Sequence, residues 1–344
     1  MDFGFDGDQD ALKQLALKAL ATGDAWTELG RAGLLGTTIP VEHGGAGLGL
    51  VELALVLQQA GRAAAPVELT PAIVASMALA KYGSAEQAQH LARVLDGSQA
   101  IALALNENGG EPEKPATRAD ADGKLHGVKV AVAGLERAPF MIVSARHDGS
   151  PALYLVARDG AGVRRETCRA TDDSHVFQVT LDGARGEKLS GGASALEWTI
   201  ARLSLAFCAF ELGVAEKQLE MTAEHCLRRQ QFGKPIGLFQ AVGQRAADMH
   251  VDVESLRLAV WSAVFRLETN ADGAAAAVNV AAYWAAEAGA RVAAGAQHLH
   301  AGIGFDRSYP LYRYFLAAKR IELELGGAQR QIARLGYAMA ESSR

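Results

Sequence analysis

Cysteine, net charge and uninterrupted apolar runs are all scarce in this sequence, and each shortage excludes a class of protein. The three cysteines, Cys168, Cys208 and Cys226, are an odd number without paired spacing, so no disulfide framework is indicated. Lys and Arg number 34 against 39 Asp and Glu, and this formal charge of −5 gives no electrostatic case for binding nucleic acid. No cluster of His, Cys and Asp has the spacing of metal ligands, so no metal site is predicted.

The Ala-rich run 274–296 is interrupted by Asn279, Glu287 and Arg291, and therefore predicts a packed helix rather than a membrane span. The first residues are acidic and lack the basic-then-apolar order of a secretory signal. We therefore expect a cytoplasmic protein that does not associate with membranes.

The spacing of apolar residues changes at two places along the sequence. The first hundred residues show apolar residues at helical spacing, and the run 51–60 suits a mostly buried helix. Between Ile101 and Leu189, four Asp-Gly pairs separate short apolar or alternating runs, a pattern typical of β-hairpins. The pairs begin at Asp122, Asp148, Asp159 and Asp182.

From residue 194 the spacing is helical again. Helices are predicted up to about Arg229, from Gln240 to about Leu267, over 274–296 and over roughly 316–339, which together indicate an antiparallel bundle. The predicted class is α+β, with an N-terminal helical domain over 1–100, a middle antiparallel β-domain over 101–190 and a C-terminal four-helix bundle over 191–344.

Two glycine-containing segments carry the strongest functional signal. Residues 229–240 read RQQFGKPIGLFQ, and residues 298–305 read HLHAGIGF, followed by YPLYRYF at 309–315. Their order and spacing resemble the R-x-Q-F-G-x-P-I-x-x-F-Q and Q-x-H-G-G-x-G-F segments of the acyl-CoA dehydrogenase family. The resemblance extends over nearly the whole chain and implies the family's helix, β-domain and helical-bundle architecture.

The resemblance implies FAD bound at a subunit interface, with part of the site reaching across to a neighbouring chain. By position in the motifs, Arg229 corresponds to the arginine that contacts the FAD pyrophosphate. His298 stands where a glutamine is usual, Ala301 stands where a glycine is usual, and Gly302 is retained. The predicted FAD contacts are Arg229, Gln231, Phe232, Phe239, Gln240, His298 and Gly302.

The flavin pocket expected within the chain's own β-domain is poorly kept. Asn106 replaces the threonine of a Thr-Glu-Pro turn, although Glu107 matches that motif. In the family's Lys-x-Trp-Ile-Thr/Ser run, the tryptophan and hydroxyl that border the flavin have become Ala131 and Ala133. Loss of the tryptophan removes a large flat contact surface.

The catalytic base is absent from both positions that the resemblance indicates. The Glu of a Tyr-Glu-Gly segment is replaced by Leu325 or Gly326, depending on a one-residue shift, and Ala201 stands at the other position, before Arg202. Glu324 is the least unsuitable stand-in, but one residue along a helix turns a side chain by about 100°. The nearby carboxylates Glu197, Glu211, Glu322 and Glu324 are expected to be solvated or ion-paired.

Three readings follow from the resemblance. The first is a subunit of a heteromeric acyl-CoA dehydrogenase that acts on an acyl-CoA, resembles the family's base-lacking subunits and is paired with a related subunit carrying the Glu. The second is a self-sufficient homo-oligomeric flavoenzyme with a displaced base, and the third is a flavin-free structural subunit. An electron-transfer flavoprotein is a candidate redox partner in the first two.

Overall fold

The computed structural model describes residues 4–342, and their secondary structure is 57% helix and 17% strand. Helices come first, then strands, then helices again, which confirms the predicted α+β class. The first six helices are α1 (Gly7–Leu20), α2 (Ala25–Arg31), α3 (Leu50–Arg62), α4 (Leu69–Tyr82), α5 (Ala85–Ala88) and α6 (Leu91–Leu95).

Seven strands form one sheet: β1 (Ile101–Ala104), β2 (Arg118–Ala119), β3 (Lys124–Ala133), β4 (Phe140–His147), β5 (Ser150–Ala157), β6 (Val163–Arg169) and β7 (His175–Lys188). Most pairs are antiparallel, but β1 and β2 both run parallel to β4, so the sheet is mixed rather than purely antiparallel. Residues 141–145 of the central strand β4 are all buried, which explains their mostly apolar run.

The Asp-Gly pairs have three different roles in the sheet. The pair at Asp148 closes the β4–β5 hairpin, with φ of 49° at Asp148 and 81° at Gly149, as a two-residue hairpin turn requires. The pair at 122–123 joins β2 to β3. The pair at 159–160 lies between β5 and β6, which each pair with β7, and the pair at Asp182 lies inside β7, so these two predicted hairpins are wrong.

The C-terminal part consists of α7 (Gly192–Arg228), a small hairpin of β8 (Gln230–Gln231) and β9 (Lys234–Pro235), α8 (Gln240–Glu268), α9 (Ala274–His300), α10 (Leu311–Glu324) and α11 (Gly327–Ser342). Helix α9 lies against α8, α10 and α11. The single helix predicted over 316–339 is wrong, because Gly326 and Gly327 adopt φ of 78° and 77° and break it in two.

Helices α3 and α7 pack with their backbones in contact. A Cβ at Gly61 would lie 2.0 Å from the carbonyl oxygen of Phe210, and one at Gly213 would lie 1.9 Å from that of Gln58.

By compactness the chain divides into two units. One comprises the described residues up to Leu17 with Leu53–Val67 and the residues from Ser204 onward, and the other comprises the rest. The division into three domains stays a prediction.

Helix α7 is long and apolar enough to cross a membrane by length and composition, but 67% of its most apolar window is buried inside the protein. That burial is typical of a core helix. The Ala-rich helix α9 packs in the bundle, as predicted.

Candidate functional site

The segment after α7 is a tight hairpin that presents side chains to solvent. The Arg229 amide donates to the carbonyl of His225 at 2.8 Å, which extends the last helical turn, and the Ile236 amide donates to the carbonyl of Arg229 at 2.8 Å, which closes the hairpin. Phe232 and Gly233 form the turn, with φ of 52° and 78°. Positive φ at Phe232 is unusual for an aromatic residue and is held by the β8–β9 pairing.

The predicted FAD contacts in this hairpin lie close together and make few contacts with their own chain. Phe232 is 92% exposed, and its ring centroid lies 6.1 Å from that of Phe239 in an edge-to-face arrangement. Lys234 places its ammonium 4.4 Å from the Phe239 ring centroid. Arg229, Gln231 and Gln240 are exposed, and within residues 4–342 the Arg229 guanidinium forms no ion pair.

The second segment is the loop after α9, over Ala301–Phe305. Ala301 adopts φ 53° and ψ −136°, a conformation that glycine accepts and that strains a residue with a Cβ. The backbone thus keeps the shape expected of the usual glycine although the residue has changed. Gly304 packs against the Gln297 side chain, whose Oε1 would lie 2.2 Å from an added Cβ. His298 and Gly302 are exposed, and the space beside Gly302 is open.

A stacked pair of imidazoles brings the two segments to one end of the bundle. His225, in the last turn of α7, stacks on His300, the last residue of α9, with ring centroids 4.4 Å apart. Burial lowers the pKa of both rings, and the neighbouring Arg229 adds to the effect at His225, so both are neutral near pH 7. Arg229 follows His225 by one turn, and His298 and Gly302 flank His300.

The sheet residues that were compared with the family's flavin pocket differ from those at the bundle end, because their side chains are paired within the chain. The Glu107 carboxylate accepts from the Thr117 hydroxyl at 2.6 Å, from two backbone amides and from the Lys129 ammonium at 2.7 Å, so it is fully occupied by its own domain. Lys129 is buried and also donates to Ser144. Burial lowers its pKa to about 8 although Glu107 opposes the shift. A network of buried groups that pair with one another is typical of residues that stabilise the fold.

The strand that would carry the aromatic wall ends in a bulge. Ala131 has φ of 54° at the register shift between Lys129 and Val132, and its side chain is exposed. Ala133 is buried, and the Asn106 carbonyl accepts from the Val130 amide. Neither alanine provides the ring or the hydroxyl of a flavin wall.

The positions expected for a base carry none. Leu325 is buried, Gly326 forms the break after α10, and Ala201 is half-buried in α7. The Glu324 carboxylate pairs with the Arg320 guanidinium at 2.7 Å, and Lys319 pairs with Glu322. These pairs confirm the ion-paired reading of Glu322 and Glu324. Within the described part of the chain, no group of three or more His, Cys, Asp or Glu is placed to hold a metal ion.

The expectation for Glu211 is wrong. This carboxyl is fully buried, and within residues 4–342 neither of its oxygens has a hydrogen-bond partner. Burial, with a contribution from Glu322, raises the pKa of this carboxyl well above its ordinary value. It fits because Gly289 leaves space beside it. The apolar residues near it in α7, such as Phe207 and Leu212, are the feature of the sequence that indicates burial of Glu211.

Helices, a β-sheet and a helical bundle, in that order and with two exposed loops at one bundle end, form the architecture of a flavin-dependent oxidoreductase. The family model described as acyl-CoA dehydrogenase, N-terminal domain, matches residues 10–98, and the one described as acyl-CoA dehydrogenase, C-terminal domain, matches residues 190–340. The chain belongs to the acyl-CoA dehydrogenase family of oxidoreductases.

Its relatives include acyl-CoA dehydrogenase FadE27 of Mycobacterium tuberculosis, 37% identical over 93% of this chain and 88% of the relative. FadE28 of the same organism is 31% identical over 98% of both chains. Among solved structures, a chain of the Tcur3481-Tcur3483 steroid ACAD has a TM-score of 0.93, 38% identity and 98% coverage of both chains. A chain of the ChsE4-ChsE5 complex from M. tuberculosis has a TM-score of 0.92, 35% identity and 99% coverage of both chains.

Proposed function

We propose that this chain is a subunit of an FAD-dependent acyl-CoA dehydrogenase that oxidises the α,β bond of an acyl-CoA thioester. It contributes FAD contacts across a subunit interface, while a related partner subunit supplies the catalytic Glu. One observation carries the proposal. Most of the motif residues that would reach FAD, including Arg229, Phe232 and His298, are exposed at the bundle end, whereas the chain's own base positions carry Leu325, Gly326 and Ala201.

FAD, when bound, accepts the hydride that leaves the β carbon of the substrate. This chain's residues have binding roles. The Arg229 guanidinium is suited to the pyrophosphate because it is planar, permanently charged and able to donate two parallel hydrogen bonds. Phe232 and Phe239 offer ring surface, and Gly302 lets a ligand approach the backbone closely. His298 can donate or accept one hydrogen bond.

The α-proton has to be taken by a base aimed at the α carbon. Glu324 is unsuited, because its carboxylate is held by Arg320 on the same helix and an adjacent position on a helix points elsewhere. A partner with the Tyr-Glu-Gly segment and the tryptophan wall would complete what this chain lacks. Two of the similar structures, the ChsE4-ChsE5 complex and the Tcur3481-Tcur3483 steroid ACAD, each combine two named proteins, which supports a heteromer.

The bend at Gly326 is the observation that favours the homo-oligomeric alternative, since it follows Glu324 closely. The exposed motif around Arg229 argues against a flavin-free scaffold, because a purely structural subunit has no use for an exposed guanidinium that forms no ion pair within residues 4–342.

The test is co-production of this chain with a related subunit that has the Tyr-Glu-Gly segment, followed by acyl-CoA-dependent reduction of the flavin. We expect turnover to be lost when the partner's Glu becomes Gln and to be unchanged in this chain's Glu324→Gln variant. Turnover by this chain alone that disappears in Glu324→Gln would establish the homo-oligomeric reading instead.

A further inference from the structure

One buried imidazole contacts three separate segments at the bundle end. His300 is 3% exposed. Its Nδ1 lies 2.9 Å from the carbonyl oxygen of Ala296, one turn back in α9, and its Nε2 lies 3.1 Å from the Tyr309 hydroxyl oxygen. Its ring stacks on His225 with an interplanar angle of 25°. None of these three contacts belongs to the predicted set of FAD residues.

The partners fix the tautomer of His300. A carbonyl oxygen only accepts, so Nδ1 carries the proton and donates to Ala296. In the neutral ring Nε2 is then the acceptor, and the Tyr309 O–H donates to it. In a doubly protonated ring Nε2 would instead donate to the Tyr309 hydroxyl oxygen, so the bond would reverse its direction and the Tyr309 O–H would need another acceptor.

The His300–Tyr309 bond closes the loop that contains Gly302. His300 is the last residue before the loop and Tyr309 directly precedes Pro310 at the start of α10, so one hydrogen bond ties the entry of the loop to its exit. The strained Ala301 lies inside this closed loop. The same imidazole stacks on His225, and the His225 carbonyl accepts a hydrogen bond from the Arg229 amide.

We propose that His300 is a positioning residue that holds the Gly302 loop closed, through Tyr309, and sets its place against the Arg229 hairpin, through His225. The proposal rests on the proposed function, since its purpose is to pre-form a surface for FAD. Pre-formed loops bind more tightly because less conformational entropy is lost on binding.

The arrangement is sensitive to acid. Burial, the His300 ring and the Arg229 guanidinium all disfavour a proton on His225, and burial disfavours one on His300. Glu224 and Arg228, which pair with each other at 3.7 Å, act on the Tyr309 hydroxyl. Both pKa values are below the unfolded value of about 6.5, so the stability that the neutral pair contributes is present above pH 6.5 and is lost as pH falls below it.

The experiment compares four variants of the full chain. Tyr309→Phe removes only the hydroxyl, and His300→Asn keeps a donor near Nδ1 but has no acceptor near Nε2. His300→Gln places an amide oxygen near Nε2 and serves as the rescue, and His225→Phe keeps an aromatic stack without a titrating group. Hydrogen exchange of a peptide covering residues 297–310 reports loop closure without flavin, and retained FAD is measured in the co-produced heteromer.

We expect Tyr309→Phe and His300→Asn each to speed exchange of the loop amides by about threefold to tenfold at pH 7.5, the effect of one hydrogen bond, and to weaken FAD retention in parallel. Their effects should not add in the double variant, and His300→Gln should recover part of the loss. In the native chain the protection of the loop amides, relative to their intrinsic exchange rate at each pH, should fall below pH 6.5, and His225→Phe should reduce that dependence.

Two results would overturn the inference and can be told apart from failure of the proposed function. If Arg229→Ala releases FAD while Tyr309→Phe and His300→Asn retain it like the native chain, the function stands and the positioning role falls. If exchange of the loop does not change in these variants, the loop is held by other contacts and the inference is wrong. If no assembly of the native chain binds FAD, the proposed function fails, and the exchange experiment, which needs no flavin, still decides whether His300 holds the loop.

Discussion

The bundle end and the middle sheet both carry segments that the family uses around its flavin, but they differ in what their side chains contact. At the bundle end, Arg229 and Phe232 are exposed, and the backbone around Ala301 keeps a glycine-type shape despite the substitution. In the sheet, Glu107 and Lys129 are consumed by their own network and Ala131 stands where a ring is expected. This difference between the two regions is the one expected if two subunits divide the proposed flavin site between them.

The largest expected effect is in the sheet. Lys129→Met leaves the Glu107 carboxylate in a partly buried network without its cation, so we expect the free energy of unfolding to fall by about 3 kcal/mol. Lys124→Met, at an exposed position of the same strand, is the matched control and should change stability little. Urea unfolding measures both. A Lys129 variant as stable as the control would mean that the network is dispensable.

At the bundle end, removing a positive charge should weaken FAD binding and leave the free energy of unfolding unchanged. Arg229→Ala should weaken FAD binding to the heteromer by about tenfold to a hundredfold, the effect of lost charge-assisted hydrogen bonds. Arg229→Lys should recover only part, because an ammonium cannot make two parallel bonds. The measurement is equilibrium dialysis of FAD with the urea midpoint as control. Unchanged binding would exclude Arg229 from the site.

The core of the bundle gives a third comparison. Glu211→Leu removes an unpartnered buried carboxyl and should raise the free energy of unfolding by about 1–3 kcal/mol at pH 7. Its pKa is raised in the folded state, so its contribution favours the native chain below the unfolded pKa of about 4.3 and is lost as pH rises toward the folded value. Glu211→Gln should remove that part of the pH dependence. Denaturation midpoints across pH check both statements.

The smallest effect compares one substitution in both regions. Ala301→Gly and Ala131→Gly each replace an alanine with φ near 54°, so each should stabilise the fold by up to about 1 kcal/mol as strain is relieved. Only Ala301→Gly should also alter FAD retention, because only that loop belongs to the proposed site. Equal changes in retention from both variants would remove the distinction between the regions.

Local patterns predicted much of this structure. The helix after Gln240, the strand starting at Lys124 and the hairpin at Asp148 depend on short-range spacing and turn chemistry, which a sequence displays directly. The parallel pairing of β1 with β4 joins residues about forty positions apart, and no local pattern encodes it. Asp182-Gly183 resembles a turn but lies inside β7, because the pairing with β3 on one side continues past it.

For the candidate site, the motifs identified the residues but not their environment. Sequence spacing indicated Arg229 and Gly302, whereas the stack of His225 on His300 depends on how two helix ends meet. The buried state of Glu211 likewise depends on the space that Gly289 leaves on another helix. Such contacts arise from packing, which motif matching does not describe.

The most direct measurement is the flavin-to-protein ratio, from flavin released on denaturation, of this chain purified alone and of its complex with a base-carrying relative. We predict little or no flavin in the chain alone, and in the complex a flavin content that Arg229→Ala reduces. A ratio near one in the chain alone would contradict the account, because the sheet that lacks the aromatic wall would then be completing a site by itself.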